Sequence, residues 1–315
     1  MTSPPLGGRT SADRGSSIYD LGYRGYEGPR LGRRAAIGAL LTHSLRTAYG
    51  LGRSARSKIM PVGVVLLAII PALLGVGVLV LFSQFGPAAD AMEAVEALQP
   101  FRYSTLFPFT VIFVFLFSAS QAPELFGRDQ LAGVLPLYFS RAISRFDYAT
   151  ARLLGLLCAL LVLVLAPQII LFVGRVLIAP DLLAGLEAEL PAVPATVAIS
   201  LVGALLVGSV SAAIAAMSPR RSYATMAIVA VFLITTALAG LLTLALDGGV
   251  LGQIAILLSP GDVLDGLNAF LFGVPAESDA IQEAGIEGWV YAVAATAWIL
   301  GSLSVLYLRY QRLDT

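Results

Sequence analysis

The sequence predicts an all-α, polytopic membrane protein with six transmembrane helices, and three observations carry that prediction. Charged residues make up 13% of the 315 residues and hydrophobic ones 57%, against roughly one-quarter charged in an ordinary soluble domain. Six windows stay apolar for about 20 residues, the length a helix needs to cross a hydrocarbon core about 30 Å thick. The loops between these windows alternate in charge. Unbroken apolar runs exclude alternating barrel strands, leaving helices to satisfy the backbone in lipid.

Residues 1–34 are rich in Gly, Ser, Pro and Arg and poor in aliphatics, so they are expected to form a mobile cytoplasmic arm. Tyr19, Tyr23 and Tyr26 are spaced along it with Arg24 and Arg30. Residues 35–315 are expected to form the transmembrane domain. Its first element is an interfacial helix over Ala35–Lys58, where Ile37, Leu40, Leu41, Leu45 and Ala48 recur at helical spacing. The predicted spans are Met60–Phe82, Ser104–Ala122, Leu153–Ile178, Ala192–Met217, Tyr223–Leu246 and Trp289–Leu308. A short amphipathic piece, Ala88–Leu98, sits in the first loop. Before the last span, Leu251–Gly273 is apolar but cut at Pro260-Gly261. Each half is too short to cross, which predicts a re-entrant or outer-leaflet helical pair with Asp262 and Asp265 facing water.

Formal net charge is zero, yet the charges segregate. Ten basic residues precede the first span against three acids, and Arg128, Arg141, Arg145, Arg152, Arg220, Arg221, Arg309 and Arg312 fall in alternate loops and the tail. The intervening loops carry Asp90, Glu93, Glu96, Asp181, Glu187, Glu189, Asp247, Asp262, Asp265, Glu277, Asp279, Glu283 and Glu287, with Arg102 as their only clear base. Basic loops stay in the cytoplasm. The expected location is therefore a cell membrane, crossed several times, with both termini cytoplasmic.

The inventory of chemistry is thin. There is one histidine, His43, and one cysteine, Cys158, so neither a disulfide framework nor a histidine-rich metal centre is expected. No phosphate-cradling GxxxxGK[ST] loop and no GxSxG elbow occurs. The chain is expected to be no enzyme and to hold no cofactor of its own. No predicted span has an interior carboxylate, which weakens an ion-driven carrier. Arg175, near the end of the third span, is expected to snorkel or pair with Asp181, and Gln168 to bond a neighbouring helix. Gly203, Gly208, Ser209 and Ser211 suit close helix packing on the fourth span. Pro71, Pro108 and Pro167 are candidate kink sites.

Between the second and third spans lies Glu124-Leu125-Phe126-Gly127-Arg128-Asp129-Gln130-Leu131-Ala132-Gly133-Val134-Leu135. It is followed by Phe139-Ser140-Arg141-Ala142-Ile143-Ser144-Arg145-Phe146-Asp147-Tyr148 and Ala151-Arg152-Leu153-Leu154-Gly155. This run resembles the second-to-third-span loop of ABC-2 type transporter permeases, the membrane subunits of ATP-binding cassette exporters. In that family a glutamate ends the second span, a charged amphipathic coupling helix follows, and a Pro-Ile-Ser-Arg turn leads to a basic residue opening the third span. Here Gly127-Arg128-Asp129 stands where the family has an acidic pair, and Ala142 stands at the proline.

The resemblance implies a permease subunit with an elbow helix, a coupling helix and ATP-driven export of an amphipathic or lipophilic substrate. Its implied partners are ABC ATPase subunits at the cytoplasmic face, which would carry ATP and Mg. A second permease copy, identical or paralogous, and membrane lipid complete the set; nucleic acid is not expected. The residues implied to contact the ATPase are Glu124, Gly127, Arg128, Asp129, Leu131, Val134, Leu135 and Phe139. The alternative is an ATPase-independent carrier, or a non-transporting scaffold.

Overall fold

A computed structural model describes residue 28 and residues 31–52, 54–83, 102–140, 143–246 and 249–312. The tyrosine-bearing arm, the Ala88–Leu98 piece, Arg141 and Ala142 lie outside the described residues. The described secondary structure is entirely helical, and six helices are long and apolar enough to cross a membrane.

α1 (Gly32–Ala48) is followed by a break and α2 (Ala55–Ser83), rather than one helix to Lys58. The break is written in two glycines: Gly50 and Gly52 have φ of 66° and 82°, a region side chains strain to occupy. α3 (Tyr103–Leu131) runs nine residues past the predicted Ala122, through Pro123, so the segment carrying Glu124 to Leu131 is span helix continued. It stops at Gly133, φ 64°. There the amides of Gly133 and Val134 return to the carbonyls of Gln130 and Asp129, the paired bonds that close a helix end with glycine.

α4 (Leu135–Phe139) is short, and α5 (Arg145–Ile178) begins well before the predicted Leu153. Ser144 and Asp147 explain that start. The Ser144 hydroxyl accepts from the Asp147 amide at 3.2 Å, and the Asp147 carboxylate accepts from the Ser144 amide at 3.0 Å, a reciprocal cap. α6 (Leu182–Glu189) leads through a short 3₁₀ turn into α7 (Val193–Met217), followed by α8 (Arg221–Ala245). The expected broken pair is α9 (Val250–Leu257) and α10 (Pro260–Phe272), bent by 95°. α11 (Asp279–Ala284) and α12 (Gly288–Gln311) complete the chain's described helices.

α7 is the hub, touching α3, α5, α8, α10 and α12. Its small residues allow this: a Cβ on Gly208 would lie 2.5 Å from the Leu157 side chain, and one on Gly203 would lie 3.0 Å from Phe107. In lipid, where apolar burial drives little association, such close backbone approach supplies the packing. By contrast α2, α8 and α12 expose many large apolar residues, among them Leu66, Leu74, Leu233, Leu241, Val293 and Leu300, the surface expected of a lipid-facing rim.

Arg175 departs from its expected pairing. It is 5% exposed and reaches Glu189 at 3.5 Å, while Asp181 caps α6 by accepting from the Ala184 amide. Tyr103 donates to the same Glu189 at 2.6 Å, so this cluster ties α3, α5 and α6 together. A charge this buried is retained because its partner is buried with it. Gln168 makes no hydrogen bond among the described residues; it lines an apolar cavity of about 390 Å³ with Ile169, Phe172 and Leu190.

Candidate functional site

The residues singled out between the second and third spans do gather at one end of the bundle, where α3 ends, α4 lies and α5 begins. They divide into an outward set and an inward set. Arg128, Leu131 and Leu137 are exposed, the two leucines at 68% and 67%, and Val134 and Phe139 are half-buried. Arg128 bonds Glu124 at 3.1 Å, one helical turn back, and Arg221 of α8 approaches the same carboxylate at 3.6 Å. An apolar step flanked by charges is thus presented on the surface.

Asp129, Gly127 and Leu135 face inward. The Asp129 carboxylate is gripped by the Arg152 guanidinium and accepts from the Tyr148 hydroxyl at 2.7 Å. Arg152 is 3% exposed. It also donates to Tyr148 at 3.3 Å and to the Ser44 hydroxyl of α1 at 3.3 Å. Tyr148 is fully buried, with the rings of Tyr138, Phe139 and Tyr310 packed around it at 5.3, 6.0 and 5.6 Å. One carboxylate therefore fastens the end of α3 to α5, with α1 attached through Ser44. A desolvated guanidinium needs its charge and its N–H groups both answered, and this cluster answers them.

Gly127 is a packing position. A Cβ there would stand 3.2 Å from the Pro219 carbonyl oxygen and 3.3 Å from that of Ser218, so its bareness lets α3 pass the α7–α8 link. Leu135 is 6% exposed and belongs to the main apolar core.

Further contacts brace the same end. Arg33 of α1 forks onto Asp147 with two bonds of 2.8 Å, geometry that favours guanidinium over ammonium. The neighbouring carboxylate holds the Arg33 pKa above its ordinary value. Gln130 donates to the Ala216 carbonyl of α7 at 3.2 Å, and Arg145 to the Gln311 carbonyl of α12 at 2.9 Å. A Cβ on Gly155 would meet the Ser44 Cβ at 2.5 Å, so α1 lies directly on α5.

Sequence reasoning missed the brace: Arg33, Ser44, Asp147, Tyr148 and Tyr310. Only the Ser-x-x-Asp spacing at Ser144 carried a local signal; Tyr148 follows it on α5, and the other partners come from α1 and α12 and have no mark in the sequence. No group of three or more metal-binding side chains occurs among the described residues. No protein-family model matches the chain, and no curated protein matches it.

Proposed function

We propose that this protein is the permease subunit of an ATP-binding cassette exporter, similar to the ABC-2 type, working with separate ATPase subunits that bind ATP and Mg. In this reading the α4 end faces the cytoplasm of a cell membrane, α1 is the elbow helix on the inner leaflet, and Glu124 to Phe139 forms the coupling segment. α9 and α10 are a re-entrant pair on the far side. A second copy, or a paralogue, would share the path, and the cargo would be amphipathic or lipophilic.

The observation that carries the reading is the split of the α3–α4 segment into an exposed apolar step, Leu131 and Leu137, and a buried anchor, Asp129 with Arg152 and Tyr148. A loop that only joined two spans would need neither. A loop that transmits a push needs a docking face and a stiff connection to the helices it moves. Here the force applied at Leu137 would reach α5 through Tyr138, Phe139 and Tyr148, and reach α3 through Asp129.

The test is purification from the native host in mild detergent. A Walker-motif ATPase should co-purify with the wild type and be lost from Leu131→Ser/Leu137→Ser, whose two positions are exposed and leave folding intact. Full ATPase retention by that variant, or unaided pumping by the isolated chain, overturns the reading. A second reading, an ATPase-independent carrier, draws on one specific observation: Asp262 of α10 is buried and Asp265 half-buried, rather than both facing water. Transport driven by a proton gradient alone would favour it.

A further inference from the structure

Positive charge is concentrated on α1 and on its link to α2. From Gly32 to Met60 the sequence carries Arg33, Arg34, Arg46, Arg53, Arg56 and Lys58, and no Asp or Glu. Arg33 is committed to Asp147 inside the brace. Arg34 follows it about 100° further round the helix and is exposed, as are Arg46 and Arg56, while Lys58 is half-buried.

Among the described residues nothing neutralises this surplus. The carboxylates at the α4 end are already held: Glu124 by Arg128 and Arg221, Asp129 by Arg152, and Asp147 by Arg33. Arg34, Arg46, Arg56 and Lys58 make no ion pair there. The link brings these cations to one corner. A Cβ on Gly50 would stand 2.6 Å from the Ser57 carbonyl oxygen, and the Leu51 amide returns to the Arg46 carbonyl at 2.7 Å. The last turn of α1 therefore lies against the first turn of α2. Large apolar side chains neighbour the cations in the chain: Leu31, Leu51 and Ile59 are 76%, 53% and 69% exposed.

We infer that the outer side of α1, together with the α1–α2 link, docks on a membrane surface of anionic phospholipid. The occupant follows from charge and from position. α2 is long and apolar enough to cross a membrane and starts at this corner, which puts the corner where a span enters the bilayer. Lipid phosphates meet the guanidinium groups, and the acyl boundary meets Leu31, Leu51 and Ile59. A zwitterionic surface would leave the positive charge uncompensated, whereas each basic group beside an anionic leaflet strengthens attachment roughly 5-fold.

The contact is not passive. α1 is fastened to α5 through Arg33 on Asp147, through Arg152 on Ser44, and through the Tyr49 hydroxyl, which donates to the Ala159 carbonyl at 2.8 Å. Headgroups that hold α1 thereby hold the end of α5 that the coupling segment is proposed to move. The placement of α1 on the inner leaflet rests on the exporter reading. The docking is measured on the full chain with no ATPase present, so either can fail alone.

Native mass spectrometry from nanodiscs of mixed phosphatidylglycerol and phosphatidylcholine should retain the former about 5-fold or more above its share of the disc. Arg34→Gln/Arg46→Gln/Arg56→Gln, confined to exposed positions, should lower that preference about 3-fold or more. Arg220→Gln/Arg312→Gln removes two exposed cations elsewhere on the chain and should leave it nearly unchanged. Hydrogen exchange gives a local readout: amides of Gly32–Ala48 should exchange about 3-fold more slowly in mixed discs than in phosphatidylcholine alone. The triple variant should lose that difference. No preference for phosphatidylglycerol, an equal fall in both variants, or exchange over α1 indifferent to lipid overturns the proposal. Protection of α1 by soluble polyglutamate but not by anionic lipid assigns the face to an acidic protein and overturns it as well.

Discussion

The aspartates near the two ends of α3 are treated in opposite ways. At the α4 end, Asp129 and Asp147 each meet an arginine, and the guanidinium of Arg152 is shared among a carboxylate, a tyrosine and a serine. At the α10 end, the buried Asp262 and half-buried Asp265 each keep one oxygen with no partner among the described residues, beside the Oδ1 of Asn268 in the same condition. The first arrangement spends its polar groups on holding helices together. The second leaves one oxygen of each without a partner, a cost to stability rather than a contribution to it.

The comparison breaks most visibly at the carboxylates themselves. Asp129→Ala strands Arg152 in a dry site, a loss of about 3–5 kcal/mol for an uncompensated buried charge, readable as a large fall in unfolding free energy in detergent. Asp262→Asn removes a buried charge supported by the Ser259 side chain rather than by a cation; its effect should be smaller, within about 1 kcal/mol of wild type. Equal losses at both ends would erase the distinction.

A smaller effect separates packing from docking. Gly127→Ala pushes a methyl to 3.2 Å from a backbone carbonyl and should cost about 1–3 kcal/mol by overpacking. No change would return Gly127 to the docking surface. Smallest of all, Arg128→Ala breaks an exposed pair one turn apart and should cost under about 0.5 kcal/mol of stability. A larger loss would mean that Arg128 belongs to the brace.

The helical class and the number of long apolar helices were legible because hydropathy over 20 residues is a local property. So was the break at Pro260, and so were the small residues of α7. Helix ends were less so: α3 outran its apolar window because its last turns, though charged, still bury Leu125 and Phe126. The inward turn of Asp262 was hidden because polarity normally predicts exposure, and only the packing of α10 against α3 and α12 overrules it. Sequence pattern picked out one continuous stretch, Glu124 to Phe139, and that stretch lies at one end of the bundle. It could not say that Asp129 points in and Leu131 out, which depends on Arg152, a full loop away.

The continuous course of α3 joins the molecule's two poles in a mechanical sense. If load is applied where Asp129 is clamped, as the proposed coupling requires, a helix stiff along its axis would carry part of that shift toward the Ser104 carbonyl that holds the Asn268 amide, past Pro108 and Pro123, each of which removes a backbone N–H from the ladder.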